Sequence, residues 1–201
     1  MNQKTVLITG SNGFIGKHLV SKLLDNGYEV IAVTRDPNSF PLGSLPAFCN
    51  INDYESISEA ISRSDFVFHF AGITGVLKCE ENYYKTIDTN ILGTINVLEA
   101  SKHHNKPVVY AGVGNIDDNS MYTISKAVSE RFVLMYNAEH NTNFFPFRIF
   151  NVYGPNQDQN TGKLIINTIH KALNNEPITI YGDGKQVMDF IYVKDVISIM
   201  S

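Results

Sequence analysis

Gly10-Ser11-Asn12-Gly13-Phe14-Ile15-Gly16 joins two segments of different periodicity. Before it, Thr5-Val6-Leu7-Ile8-Thr9 is the short apolar run of a buried strand. After it, Ile15, Leu19, Leu23 and Leu24 recur near helical spacing until Asn26-Gly27 stops the helix. Each glycine has its own steric task. Gly10 allows a tight strand-to-helix turn, Gly13 lets a pyrophosphate approach the backbone, and Gly16 lets the helix sit close on the strand. Free N–H groups at the helix start then face an anion, aided by the helix dipole. Glycine spacing alone is weak evidence. Its place in the first strand–helix unit is what a dinucleotide site requires.

The same alternation continues along the rest of the chain. Tyr28 to Thr34 reads as the second strand, and a loop with Pro37, Pro41, Gly43 and Pro46 follows. A weak strand is expected near Phe48 to Ile51, then a helix over Tyr54 to Ile61 that Asp53 can cap. Asp65 to Phe70 is strand-like and ends in Ala71-Gly72. Helices are expected over Tyr83 to His103 and Tyr122 to His140, with strands at Pro107 to Tyr110 and Phe144 to Phe150. Strands separated by helices form a parallel sheet covered on both faces, so the fold class is α/β, doubly wound, of Rossmann type. Residues 1–153 form the dinucleotide-binding domain on this reading. Residues 154–201, with a helix over Leu164 to Leu173 and a short strand at Pro177 to Tyr181, form a partial substrate-side region.

The bulk numbers exclude several classes. The 201 residues carry 43% hydrophobic content and a formal net charge of -4, which gives no footprint for nucleic acid and no pull toward an anionic membrane. No stretch is apolar for long enough to span a bilayer, and Met1-Asn2-Gln3-Lys4 runs directly into the first strand without a secretory signal. Cys49 and Cys79 lie far apart without metal-ligand spacing, as reduced thiols would, and no metal site is expected. A cytoplasmic protein is the expectation.

The coenzyme is read at the end of strand two. NAD sites usually place an acid there for the ribose 2′-OH, whereas an Arg suits the extra phosphate of NADP. Here the position is Thr34, followed by Arg35, which favours NADP over NAD; Asp36 is the competing acid.

Tyr122-Thr123-Ile124-Ser125-Lys126 puts a phenol and an ammonium on one helical face. A phenol acting as a base near neutrality needs its pKa lowered by about three units, roughly 4 kcal/mol. A cation about 4–5 Å away at an effective dielectric near 20 supplies about that much. Tyr122 and Lys126 are thus the candidate acid–base pair.

Together these motifs resemble the extended short-chain dehydrogenase/reductase family, the NAD-dependent epimerase/dehydratase group. The matching residues are Thr9 to Gly16, His69-Phe70-Ala71-Gly72, Asn90-Ile91-Leu92-Gly93-Thr94, Tyr122 to Lys126, Arg148 to Pro155, and Tyr181-Gly182-Asp183-Gly184 through Asp189 to Asp195. Members mostly act on nucleotide sugars. The resemblance implies that Gly10, Gly13, Phe14 and Ile15 lie along the pyrophosphate, with Gly16 behind them, and that Asn50 and Ile51 sit by the adenine. It also implies that Phe70, Ala71 and Gly72 line the path to the nicotinamide ribose. Phe150 would lie near the nicotinamide, Lys126 would hold the ribose while lowering the Tyr122 pKa, and Asn151 would face the substrate. Asn90 and His69 read as structural. The resemblance further implies a homodimer through helices over about Asn90 to Lys102 and Ser125 to Ala138, whose rows Ile91, Ile95, Leu98 and Val128, Phe132, Met135 serve either core or interface.

Three departures from the family pattern limit the activity. Val113 stands where the family carries a hydroxyl, and the loop Asn115 to Met121 is short, with Ser120 the nearest substitute in sequence. Losing such a donor commonly costs about 10²–10³ in rate. Met188 replaces the Arg that grips the substrate phosphates, which no thioether can do. The chain also stops at Ser201, where the family continues, so the reaction centre would be wetter. An Asp-Glu pair beside the missing hydroxyl, as in dehydratases, is absent, which favours epimerase or reductase. Three alternatives stay open: an enzyme, a non-catalytic NAD(P)-binding protein, and a piece of a longer enzyme.

Overall fold

The computed structural model describes residues 3–180 and 182–201. The chain runs β1 (Thr5–Thr9), α1 (Phe14–Asp25), β2 (Glu29–Thr34), β3 (Leu45–Phe48), α2 (Tyr54–Ser62), β4 (Phe66–His69), α3 (Val76–Glu80) and α4 (Tyr83–Thr86). It continues through a π turn (Ile87–Leu92) into α5 (Gly93–His103), then β5 (Val108–Val113), α6 (Met121–His140), β6 (Phe144–Ile149) and β7 (Val152–Tyr153). A 3₁₀ turn (Gln159–Thr161), α7 (Leu164–Leu173), β8 (Ile191–Tyr192) and α8 (Val193–Met200) complete it.

Six strands form one parallel sheet in the order β3-β2-β1-β4-β5-β6. Side chains on β1 alternate between its two faces. Val6 and Ile8 pack with Leu19, Val20 and Leu23 of α1, and with Val193 and Ile197 of α8. Leu7 joins the other layer with Ile57 and Ile61 of α2, Val97 and Leu98 of α5, and Val133 of α6. This is the doubly wound arrangement expected. Strand order reverses between β1 and β4, and at such a switch point the carboxyl ends of the strands leave a crevice for a ligand.

Three sequence expectations are corrected. The third strand lies at Leu45–Phe48, not Phe48 to Ile51, although it contains Pro46. Pro46 pairs with Ala32 at the sheet edge, where the missing N–H can face outward. The helix from Tyr83 to His103 is interrupted by its π turn, in which the carbonyl of Asn90 accepts the hydroxyls of Thr94 (2.6 Å) and Ser129 (2.7 Å). Those two side chains satisfy a carbonyl that the widened turn displaces from the helical ladder. Residues 177–180 form no strand, and Tyr181 lies outside the described residues. β7 pairs with β8, and α8 packs in the core beside α1.

Candidate functional site

The Gly10–Gly16 turn is built so that backbone atoms nearly touch. Gly10 has φ +72, and a Cβ there would lie 2.7 Å from Ala71 N and from Phe70 C. The turn and the β4 end are therefore locked against each other. Gly13 is the N-cap of α1 and makes no side-chain capping bond. The amides of the first helical turn have no side chain to receive them, which is the arrangement an anion needs.

A buried hydroxyl–imidazole chain fixes the neighbouring wall. Thr94 Oγ1 donates to Asn90 O, so it accepts from His69 Nε2 at 2.9 Å, and His69 Nδ1 accepts from Thr9 Oγ1 at 2.7 Å. Thr9 Oγ1 in turn accepts the amides of Phe70 (3.2 Å) and Ala71 (3.1 Å). Complete burial, reinforced by the nearby Lys126 charge, pushes the His69 pKa down to about 3, so the ring is neutral and structural. Asn90, 1% exposed, takes Ile73 N on Oδ1 at 2.7 Å and gives Nδ2 to Ile73 O and Ser125 Oγ, both at 3.0 Å.

One cleft of 1410 Å³ at the switch point is lined by every residue that sequence reasoning assigned to coenzyme or substrate. Along its floor lie Gly10, Gly13, Phe14, Ile15 and Gly16; at one end are Thr34, Arg35, Asn50 and Ile51. Phe70, Ala71, Gly72, Tyr122, Lys126, Phe150 and Asn151 complete the assigned set. Three of these have side-chain polar groups already engaged, the first being Asn50, whose Oδ1 accepts Asn52 N at 3.2 Å. Thr34 Oγ1 donates within its own loop, to Ser39 O at 2.8 Å, and receives Asp36 N at 3.1 Å. Asn151 Nδ2 donates to Asp189 O at 2.9 Å.

Tyr122 and Lys126 share the start of α6, but their electrostatics differ from the sequence expectation. Burial lowers the Lys126 pKa to about 7 against the opposing pull of Glu130. The ammonium sits over the Tyr110 ring, 4.2 Å from its centroid. Burial, and then Cys79, raises the Tyr122 phenol rather than lowering it. The i, i+4 spacing puts both groups on one helical face. Glu130 itself is gripped by Arg148, with Arg148 Nη2 at 2.6 Å and Nε at 3.0 and 3.1 Å from its carboxylate.

Ser120 is not the missing hydroxyl. It caps α6, accepting Thr123 N at 3.3 Å and donating to Asp118 Oδ2 at 2.7 Å, and it is absent from the cleft wall. Val113 does line the cleft, as do Asp118, Thr123 and Lys163, which sequence reasoning passed over. The Asp-x-Ser pattern before the helix was the available signal for Asp118, since such residues hold helix starts.

The model of the NAD dependent epimerase/dehydratase family matches residues 6–201. A putative UDP-glucose 4-epimerase of Methanocaldococcus jannaschii is 34% identical, over 95% of this chain and 70% of its own. UDP-glucuronic acid decarboxylase 1 of Arabidopsis thaliana is 30% identical over 96% of this chain, which spans half of that relative's length. Among solved structures, the Thermotoga maritima UDP-glucose 4-epimerase with UDP-glucose superposes with a TM-score of 0.87 at 29% identity, covering 96% of this chain and 71% of that one. The Thermus thermophilus UDP-glucose 4-epimerase complex with NAD gives 0.85 at 28%, covering 98% and 73%.

Proposed function

Given that this chain belongs to the NAD-dependent epimerase/dehydratase family, we propose that it binds NAD(P) and turns over a nucleotide sugar as an epimerase or reductase. The observation that carries the reading is the single cleft that gathers the uncapped start of α1, Tyr122 and Lys126. The Gly10–Gly16 amides hold the coenzyme diphosphate, and Lys126 donates to the nicotinamide ribose. When bound, the oxidised coenzyme would supply a hydride acceptor and a positive charge. Tyr122, raised by its burial, begins as a neutral phenol and so can give a proton to a sugar oxygen. It serves as the base only once its pKa is drawn down, and Lys126 is the cation on its own helical face. Arg35, exposed at the cleft rim, supports a preference for NADP.

A second reading rests on Val113 and on Ser120 being used as a helix cap: a chain that keeps the coenzyme and lacks the chemistry. Incubation with coenzyme and a panel of UDP-, GDP- and dTDP-sugars separates the two. The enzyme reading expects altered sugar by NMR or a change at the reduced-nicotinamide band, abolished in Tyr122→Phe. Coenzyme binding without turnover across the panel supports the second.

We also propose a homodimer through the outer faces of the π turn, α5 and α6. Leu98 is fully buried in the core, whereas Leu92 of the π turn and Ile124, Val128 and Leu134 of α6 are exposed apolar residues. Sedimentation tests this: a mass of one chain at micromolar concentration removes it.

A further inference from the structure

Asp118 is the one acidic side chain of the cleft wall tethered to the helix that carries Tyr122. Its Oδ2 accepts Ser120 Oγ at 2.7 Å and Thr123 Oγ1 at 3.2 Å. Both donors belong to the start of α6, and Ser120 is itself fixed by the Thr123 amide at 3.3 Å. Its other oxygen, Oδ1, takes no hydrogen bond among the described residues. The carboxylate thus lies near a helix N-terminus, which favours negative charge, two residues before the cap and four before Tyr122. Across the same cleft Val113 offers no hydroxyl, so Asp118 is an acceptor without a competing side-chain donor at that position.

From this arrangement we infer that Asp118 is a specificity-determining residue that selects a nucleotide sugar with an uncharged sugar ring over a sugar acid; the inference rests on the nucleotide-sugar reading of the cleft. A carboxylate is an acceptor only, so it bonds sugar hydroxyls and rejects a second carboxylate. Charge-assisted bonds of this kind are about twice as strong as neutral ones. The choice matters because the chain is similar both to a UDP-glucose epimerase and to a UDP-glucuronic acid decarboxylase. Lys78, Lys85 and Lys163 also line the cleft, but they suit the diphosphate that both kinds of substrate share. The ring substituent is where the two differ.

The test is calorimetric titration of the coenzyme-saturated protein with UDP-glucose and with UDP-glucuronate, at low salt and again at about 0.5 M salt, where charge repulsion is screened. Wild type is expected to hold UDP-glucose at least about tenfold more tightly, equivalent to about 1.4 kcal/mol. The preference should shrink at high salt. Asp118→Asn, nearly isosteric and at an exposed position, should bring the ratio to within about twofold, chiefly by tightening UDP-glucuronate. Equal affinities in wild type, a preference for the uronate, or an unchanged ratio in Asp118→Asn overturns the inference and leaves the nucleotide-sugar reading standing. If the coenzyme saturates but neither UDP-sugar binds, the reading and the inference fall together.

Discussion

Replacing Gly16 by alanine sets two known effects against each other, and the geometry of the turn decides which wins. Gly16 is buried in the first turn of α1. Helix propensity alone favours alanine over glycine by about 1 kcal/mol. A Cβ at Gly16, however, would press into Gly10 O and lie 2.9 Å from Ser11 Cα. Both atoms are backbone, so neither can rotate aside. Overpacking costs about 1–3 kcal/mol, and a contact with fixed backbone belongs at the upper end. The net expectation is a loss of about 2 kcal/mol, or a Tm lower by about 4–8 °C for a chain of this size. Gly13 supplies the contrast. It has φ -72 and ψ 169, a conformation open to any residue, and its Cβ would meet only Gly10 O, at 3.1 Å. Gly13→Ala should keep the fold within about 1 kcal/mol. It should weaken coenzyme at least about tenfold, because the methyl stands where the diphosphate approaches. Urea unfolding and coenzyme titration on both variants read the two effects separately. A Gly16→Ala protein as stable as its parent would refute the close-packing argument, and a Gly13→Ala protein with parental affinity would refute the placement of the diphosphate.

Three further outcomes follow from other parts of the molecule. Burial holds Lys126 near 7 against an ordinary 10.5, so between those values the unfolded chain binds a proton that the folded chain lacks. Stability should therefore rise from pH 7 to about 8.5 in wild type relative to Lys126→Met, before the Cys49 thiol, raised by burial to about 11, begins to act in the opposite sense. Parallel stability curves for the two proteins would remove the lowered Lys126 pKa. Asn90→Ala strands both backbone groups of Ile73 and removes the bond that the Ser125 hydroxyl accepts, leaving the one it donates to Tyr122 O. It should cost about 3 kcal/mol in urea unfolding, and a loss under 1 kcal/mol would mean that water replaces it freely. Arg35→Ala should weaken NADP about tenfold and leave NAD unchanged, since an exposed guanidinium bonds only the extra phosphate; equal effects on both coenzymes would remove the preference.

Periodicity made the sheet and its two helical layers legible, because every central strand is an apolar run and every crossover helix repeats near 3.6 residues. It failed where a local rule met a permissive place. Prolines argue against a strand, yet Pro46 is tolerated at the edge beside β2. The π turn was invisible because Asn90, Thr94 and Ser129 act across two helices. Val193, Val196 and Ile197 carry a readable helical spacing, but α8 is eight residues long and its partner α1 is far away in sequence. In the site, the backbone-defined part was legible because glycine positions state backbone demands directly. The side-chain electrostatics were not. Burial, which residue spacing does not state, raises the Tyr122 phenol and lowers Lys126, and no periodic signal locates a loop residue such as Asp118.

The measurement that bears most directly on the coenzyme assignment is isothermal titration of the intact protein with NADP and with NAD. Saturable one-to-one heat with at least one of them, weakened in Gly13→Ala, is the expected result. No heat and no saturation by either at millimolar concentration would contradict it, and the chemistry assigned to Tyr122 and Lys126 would go with it.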